Sequence, residues 1–95
     1  MKFAFLIMGN FDSGRDRVCF EDGNTWMIGV SSLREACREA QALAEQGVSC
    51  IELCGAFGET GAKAVIEATG GKLPVGYVVH LPEQDPLFDA VFGAN

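Results

Sequence analysis

Two hydrophobic rhythms alternate along this chain. Residues 2–8, KFAFLIM, are apolar at every position after the leading lysine, as expected of a strand covered on both faces. VSCIELC and VGYVVH further on are similar short apolar runs. Between them the spacing changes to three and four. In SSLREACREAQALAEQG, residues Leu33, Ala36, Cys37, Ala40, Leu43 and Ala44 share one face of a helix. Ser32 followed three positions later by Glu35 predicts a capping box, and Gly47 predicts a left-handed stop. ETGAKAVIEATGG predicts a second helix with Ala62, Val65, Ile66 and Thr69 inward. VCF and TWMIGV flank EDGN, an Asp-Gly turn signal, which predicts a hairpin. Asp85 as N-cap and Pro86 at the first helical position start a short last helix, DPLFDAVF.

The predicted order is strand, hairpin, helix, strand, helix, strand, helix. That implies an α/β fold in a single domain over residues 1–95. Its sheet is small and mostly parallel, of about four strands plus a hairpin, with two full helices and a short C-terminal helix. Crossovers are expected to be right-handed. If the strands from 26 to 80 run in one direction across the sheet, both full helices land on the same face. The other face then needs cover, and three layers form only by oligomerisation. A homo-oligomer, most simply a dimer, is therefore expected, packed through bare sheet or the last helix. Trp26, Phe88 and Phe92 are its candidate anchors, or else ordinary core side chains.

Composition narrows the function classes. The 95 residues are 48% hydrophobic and 21% charged, with 7 basic against 13 acidic side chains and a net charge of −6. No basic patch of the kind that displaces counterions from nucleic acid is visible. No apolar run reaches membrane-span length, and MKFAFLIMG lacks a signal-peptide cleavage site. The expectation is a cytoplasmic protein with neither a nucleic-acid nor a membrane partner. The four cysteines, Cys19, Cys37, Cys50 and Cys54, form no CxxC pair, and there is one histidine. No metal site is expected from that set, and the thiols are expected to be free. No cofactor is implied.

The candidate chemistry gathers at predicted strand ends, where open parallel sheets bind ligands. CGAFGETG leads from a strand into a helix, with Gly55, Gly58 and Gly61 at three-residue spacing. Helix-opening amides lack internal partners and attract anions. The spacing is neither GxGxxG nor a P-loop, and the glycines equally suit a tight turn. The expected ligand-binding set is Asn10, Cys54, Gly55, Ala56, Phe57, Gly58, Glu59, Thr60 and Gly61. Two further residues are candidate catalytic groups. Glu52 stands inside an apolar strand, where an unpaired carboxylate is costly, with Cys50 and Cys54 on its face by alternation. Its structural alternatives are a salt bridge to Lys2 or Lys72, or a place at an oligomer seam. His80, at a strand end, titrates near neutrality.

Three functions fit these residues. One is binding of a small anionic or polar metabolite at the rim around loop 55–61. A second is proton transfer of isomerase or lyase type, with Glu52 and His80 as acid and base. The third is assembly with no ligand site.

Taken together, MGNFD, IGVSSLREA, CIELCGAFGETGA and PVGYVVHLPEQD resemble, nearly end to end, a family of small bacterial proteins catalogued only as a domain of unknown function. CIELCGAFG and VGYVVHLPEQD carry most of that resemblance. It implies no established activity, cofactor or catalytic residue. GVSCIELCG is also similar to a strand and turn of (β/α)₈-barrel enzymes, although a barrel needs roughly 250 residues.

Overall fold

In a computed structural model, described over residues 1–93, the chain is a five-stranded sheet with helices on one face. Residues 94 and 95 of the expected domain lie outside the described span. The strands are β1 (Phe3–Met8), β2 (Arg17–Cys19), β3 (Thr25–Val30), β4 (Cys50–Leu53) and β5 (Val75–Tyr77). The helices are α1 (Leu33–Glu45), α2 (Gly58–Ala68) and α3 (Asp85–Phe92). Strand order is β2-β3-β1-β4-β5, parallel throughout except for the β2–β3 pair. β1 is central, with Phe5 aligned to Met27 on one side and to Glu52 on the other.

The hydrophobic rhythms explain this layering. From β3 the chain crosses over β1 to reach β4, then steps on to β5, always in one direction. Both crossovers therefore leave their helices on the same side, as the right-handed rule requires. α1 and α2 pack against each other, α1 over β1 and β3 and α2 over β5. Beneath them Ala4, Leu6, Ile28, Val30, Ile51 and Leu53 meet Ala36, Ala40, Leu43, Ala62 and Val65 in one buried cluster. Trp26 packs against that cluster too, with the Arg17 guanidinium 5.6 Å from its ring centre. Its role is the ordinary core one.

The alternate residues of the same strands face away from the helices. Phe3, Phe5 and Ile7 are half-buried there, and Met27 is exposed. The ring of Phe11 folds over part of this outer face, against Gly29.

The caps and strand ends hold the differences from expectation. Ser32 Oγ accepts from the Glu35 N–H at 3.1 Å, but the Glu35 carboxylate reaches back to the Ser31 N–H rather than to that of Ser32. β4 begins at Cys50, not Val48, because the Val48 amide bonds back to Leu43 at the helix end. β5 stops at Tyr77, three residues short of His80. An edge strand is no longer than its neighbour, and β4 has already turned away after Leu53. One last bond, Val78 N–H to the Leu53 carbonyl at 3.0 Å, closes the ladder. The predicted N-cap of α3 also moves. Gln84 occupies that position without a side-chain bond, and the Asp85 carboxylate is turned to another partner.

Candidate functional site

β4 and β5 deliver their carboxyl ends side by side, and the chain beyond β5 returns as α3. The three pieces enclose a cleft of about 740 Å³. Its floor is Met8, Cys54 and Tyr77 at the strand ends. One wall is the turn of Gly55, Ala56 and Gly58. The other is Val78, Val79 and His80 with Phe88, Asp89, Phe92 and Gly93 of the C-terminal arm. This is the location where α/β sheets place ligands. The lining is mostly apolar, with no lysine or arginine in it.

His80 is the fixed polar group of this cleft. Its Nε2 lies 2.6 Å from Asp85 Oδ1. An ionised carboxylate only accepts, so Nε2 donates to Asp85 and Nδ1 is left for another partner. The ring stacks on Phe88 at 3.9 Å between centroids and 6° between planes. Phe88 in turn stacks on Phe92 at 6.0 Å. Spacing of three and four residues along α3 puts Asp85, Phe88 and Phe92 on one face, so a single helical turn both orients the imidazole and builds the wall.

The glycine turn is mostly occupied with its own geometry. The Phe57 N–H bonds to the Cys54 carbonyl at 3.1 Å, and the Gly58 N–H bonds to that of Gly55. Two of the amides expected to hold an anion are thereby committed. Gly58 has φ 63° and ψ −174°, a backbone region essentially reserved for glycine. Gly61 makes room for the buried Phe57 side chain, since a Cβ there would come within 3.0 Å of Phe57 Cβ. Glu59 pairs with Lys63 across one helical turn at 3.0 Å.

Of the residues expected to bind ligand, Cys54, Gly55, Ala56 and Gly58 line the cleft, together with His80. Asn10, Phe57, Glu59, Thr60 and Gly61 do not. Cys54 departs from simple alternation. β4 ends at Leu53, the chain turns, and the thiol comes down beside the core, where its sulfur accepts the Met8 N–H at 3.3 Å. It therefore does not share a face with Glu52.

Glu52 stays on the outer face of the sheet, between Phe5 and Gly76. Its carboxylate lies across Gly76, where a Cβ would meet Oε1 at 2.7 Å. Cys50 Sγ approaches Oε2 at 3.9 Å. Burial, then the neighbouring Glu52 charge, pushes the Cys50 thiol above its usual range. Among the described residues Glu52 has no ion pair: the Lys2 ammonium is bonded to the Gln46 carbonyl instead. The structure does not bring Glu52 and His80 to one cavity.

Residues 1–93 match the model of a family described as "Family of unknown function (DUF6506)". The chain belongs to that family. No curated protein and no solved structure matches it. Among the described residues of this DUF6506 chain, no helix is long and apolar enough to cross a membrane. No group of three or more His, Cys, Asp or Glu side chains is placed there to hold a metal ion.

Several lining residues of the DUF6506 cleft were not expected. Met8 and Tyr77 are the terminal residues of β1 and β5, the two strands that flank β4, which only strand order reveals. Phe88, Asp89 and Phe92 had a signal in the sequence, aromatics four apart with an acid between. That signal suits a core helix or an interface equally well.

Proposed function

We propose that this protein binds a small, largely apolar molecule bearing a hydrogen-bonding group, held in the strand-end cleft with His80 as its polar contact. The observation that carries this reading is the oriented imidazole: its Nε2 bonds to Asp85 at 2.6 Å and its face stacks on Phe88, inside a cleft of about 740 Å³. A cleft of that size, apolar with a few fixed polar groups, is typical of small-molecule sites. Of the two ligand chemistries expected from the sequence, polar is favoured over anionic. Asp89 lines the cleft and Asp85 is bonded to its histidine, no lysine or arginine lines it, and two turn amides are already bonded. Proton transfer between Glu52 and His80 is not part of the reading, because Glu52 lies on the outer face of the sheet.

A thermal-shift screen tests this directly. Neutral aromatic amides, phenols and small amines should raise the melting temperature more than phosphate or citrate. His80→Ala should weaken the best binder about tenfold, as loss of one hydrogen bond does. Stabilisation by phosphate alone, unchanged in His80→Ala, would return the reading to the glycine turn. No stabilisation by any compound would favour a role in assembly.

A further inference from the structure

The C-terminal arm, residues 78–92, has no side chain buried in its own subunit. α3 makes substantial packing contacts only with the short turn before it, Pro82–Gln84. Yet the arm is strongly apolar. Val79 is 71% exposed, Leu81 64%, Leu87 60%, Val91 75% and Phe92 77%. At about 150 Å² per side chain, Leu81, Leu87 and Val91, which do not line the cleft, expose on the order of 300 Å², a sizeable patch for a lone soluble chain.

The same chain carries a second bare apolar surface, the outer face of its sheet. There Val18, Phe11 and Met27 are exposed beside half-buried Phe3, Phe5 and Ile7, adding on the order of 300 Å² by the same measure. A sheet needs cover on both faces to bury its apolar side chains, and α1 and α2 cover only one. A groove of about 350 Å³ opens on this outer side, lined by Ile7, Phe11, Val18 and Met27, with Arg15 held by Asp16 at its edge.

We infer that two copies of this chain pair reciprocally, the arm of each lying on the outer sheet face of the other. Three observations select a second copy as the occupant. First, arm and face are present once each per chain, so a two-fold pair satisfies both and closes. Second, their combined area, about 600 Å² per copy and so about 1,200 Å² for the pair, reaches the range of stable interfaces. Third, the charges agree in sign: residues 81–92 carry Glu83, Asp85 and Asp89 and no lysine or arginine, while the groove is lined by Arg15 and Arg17 against one acid, Asp16. The arm has two sides. Phe88, Asp89 and Phe92 face the cleft, whereas Leu87 and Val91, four residues apart, form a separate stripe that is free to dock. The partner's sheet thus backs the wall of the ligand cleft.

Sedimentation equilibrium at micromolar concentration is the test, and it needs no ligand. The wild type should sediment at twice the 10.1 kDa chain mass. Val91→Glu and Met27→Glu should each raise the dissociation constant at least about a hundredfold and sediment as monomers. Their circular dichroism should be unchanged, since both positions are exposed in the subunit. Val18→Glu, on the edge strand, serves if Met27→Glu does not fold. A monomeric wild type overturns the inference. So does a dimer that survives either variant: arm-to-arm pairing would survive Met27→Glu, and sheet-to-sheet pairing would survive Val91→Glu.

Discussion

The two faces of the sheet are built from the same strands, yet they differ in almost every respect. On the helix side Leu6, Ile28, Ile51 and Leu53 are fully enclosed by α1 and α2. One residue along each strand, Phe5, Met27 and Glu52 look outward to a surface that, among the described residues, neither α1 nor α2 covers. The first side accounts for the fold. The second, with the arm that ends the chain, retains apolar area the fold does not use. The side that holds the fold together and the side left bare thus meet at the rim, where the cleft opens.

Paired truncations give the largest contrast. Leu6→Ala removes a fully buried side chain and should cost about 2–5 kcal/mol in urea denaturation. Met27→Ala, one strand away on the other face, should cost under about 1 kcal/mol at concentrations where the chain is monomeric. Equal losses would mean that the outer face is already covered within the subunit.

At the rim, Gly58→Ala forces a side chain into a backbone region that suits only glycine and should cost about 1–3 kcal/mol, although the space around it is open. A cost near zero would show that the turn relaxes easily, and would weaken its role as a fixed wall. On the helix side, Ser32→Ala removes the acceptor for the Glu35 N–H and should cost about 1 kcal/mol.

The smallest effect is a dependence on pH in the loops around β2. Asp16 is held below the ordinary carboxylate range by the Asp12 N–H, then by Arg15, and Asp22 by the Asn24 N–H and then by Thr25. A depressed folded pKa adds stability that is present above the unfolded value, about 3.9, and lost as pH falls through the lower folded value. Between pH 5 and pH 2, Asp16→Asn with Asp22→Asn should flatten the fall of stability with acid. An unaltered slope would assign acid sensitivity to other carboxylates.

The helix-covered half was legible in the sequence because periodicity reports burial directly. The stripe from Leu33 to Ala44 and the run in β1 each imply their own packing, and unidirectional strand order puts both helices together. Strand ends were less legible. Cys54 left the face that alternation assigned to it because β4 ends one residue earlier, and β5 ended at Tyr77 because its only neighbour had turned away. Neither event has a local signal. His80 and the glycine turn were found as strand-end residues, but half the cleft comes from an arm whose position depends on the path after β5. Asp85 illustrates the limit: its sequence context fits an N-cap, while its geometry fits a partner for His80 five residues back.

The most direct test of the cleft is an amide NMR titration with the best neutral aromatic binder from the thermal-shift screen. The account predicts shift changes at Gly55, Ala56, Val78, Val79, His80 and Phe88, with those at Glu52 and Met27 unchanged. Changes centred on the outer face, or spread evenly over the molecule, would contradict it.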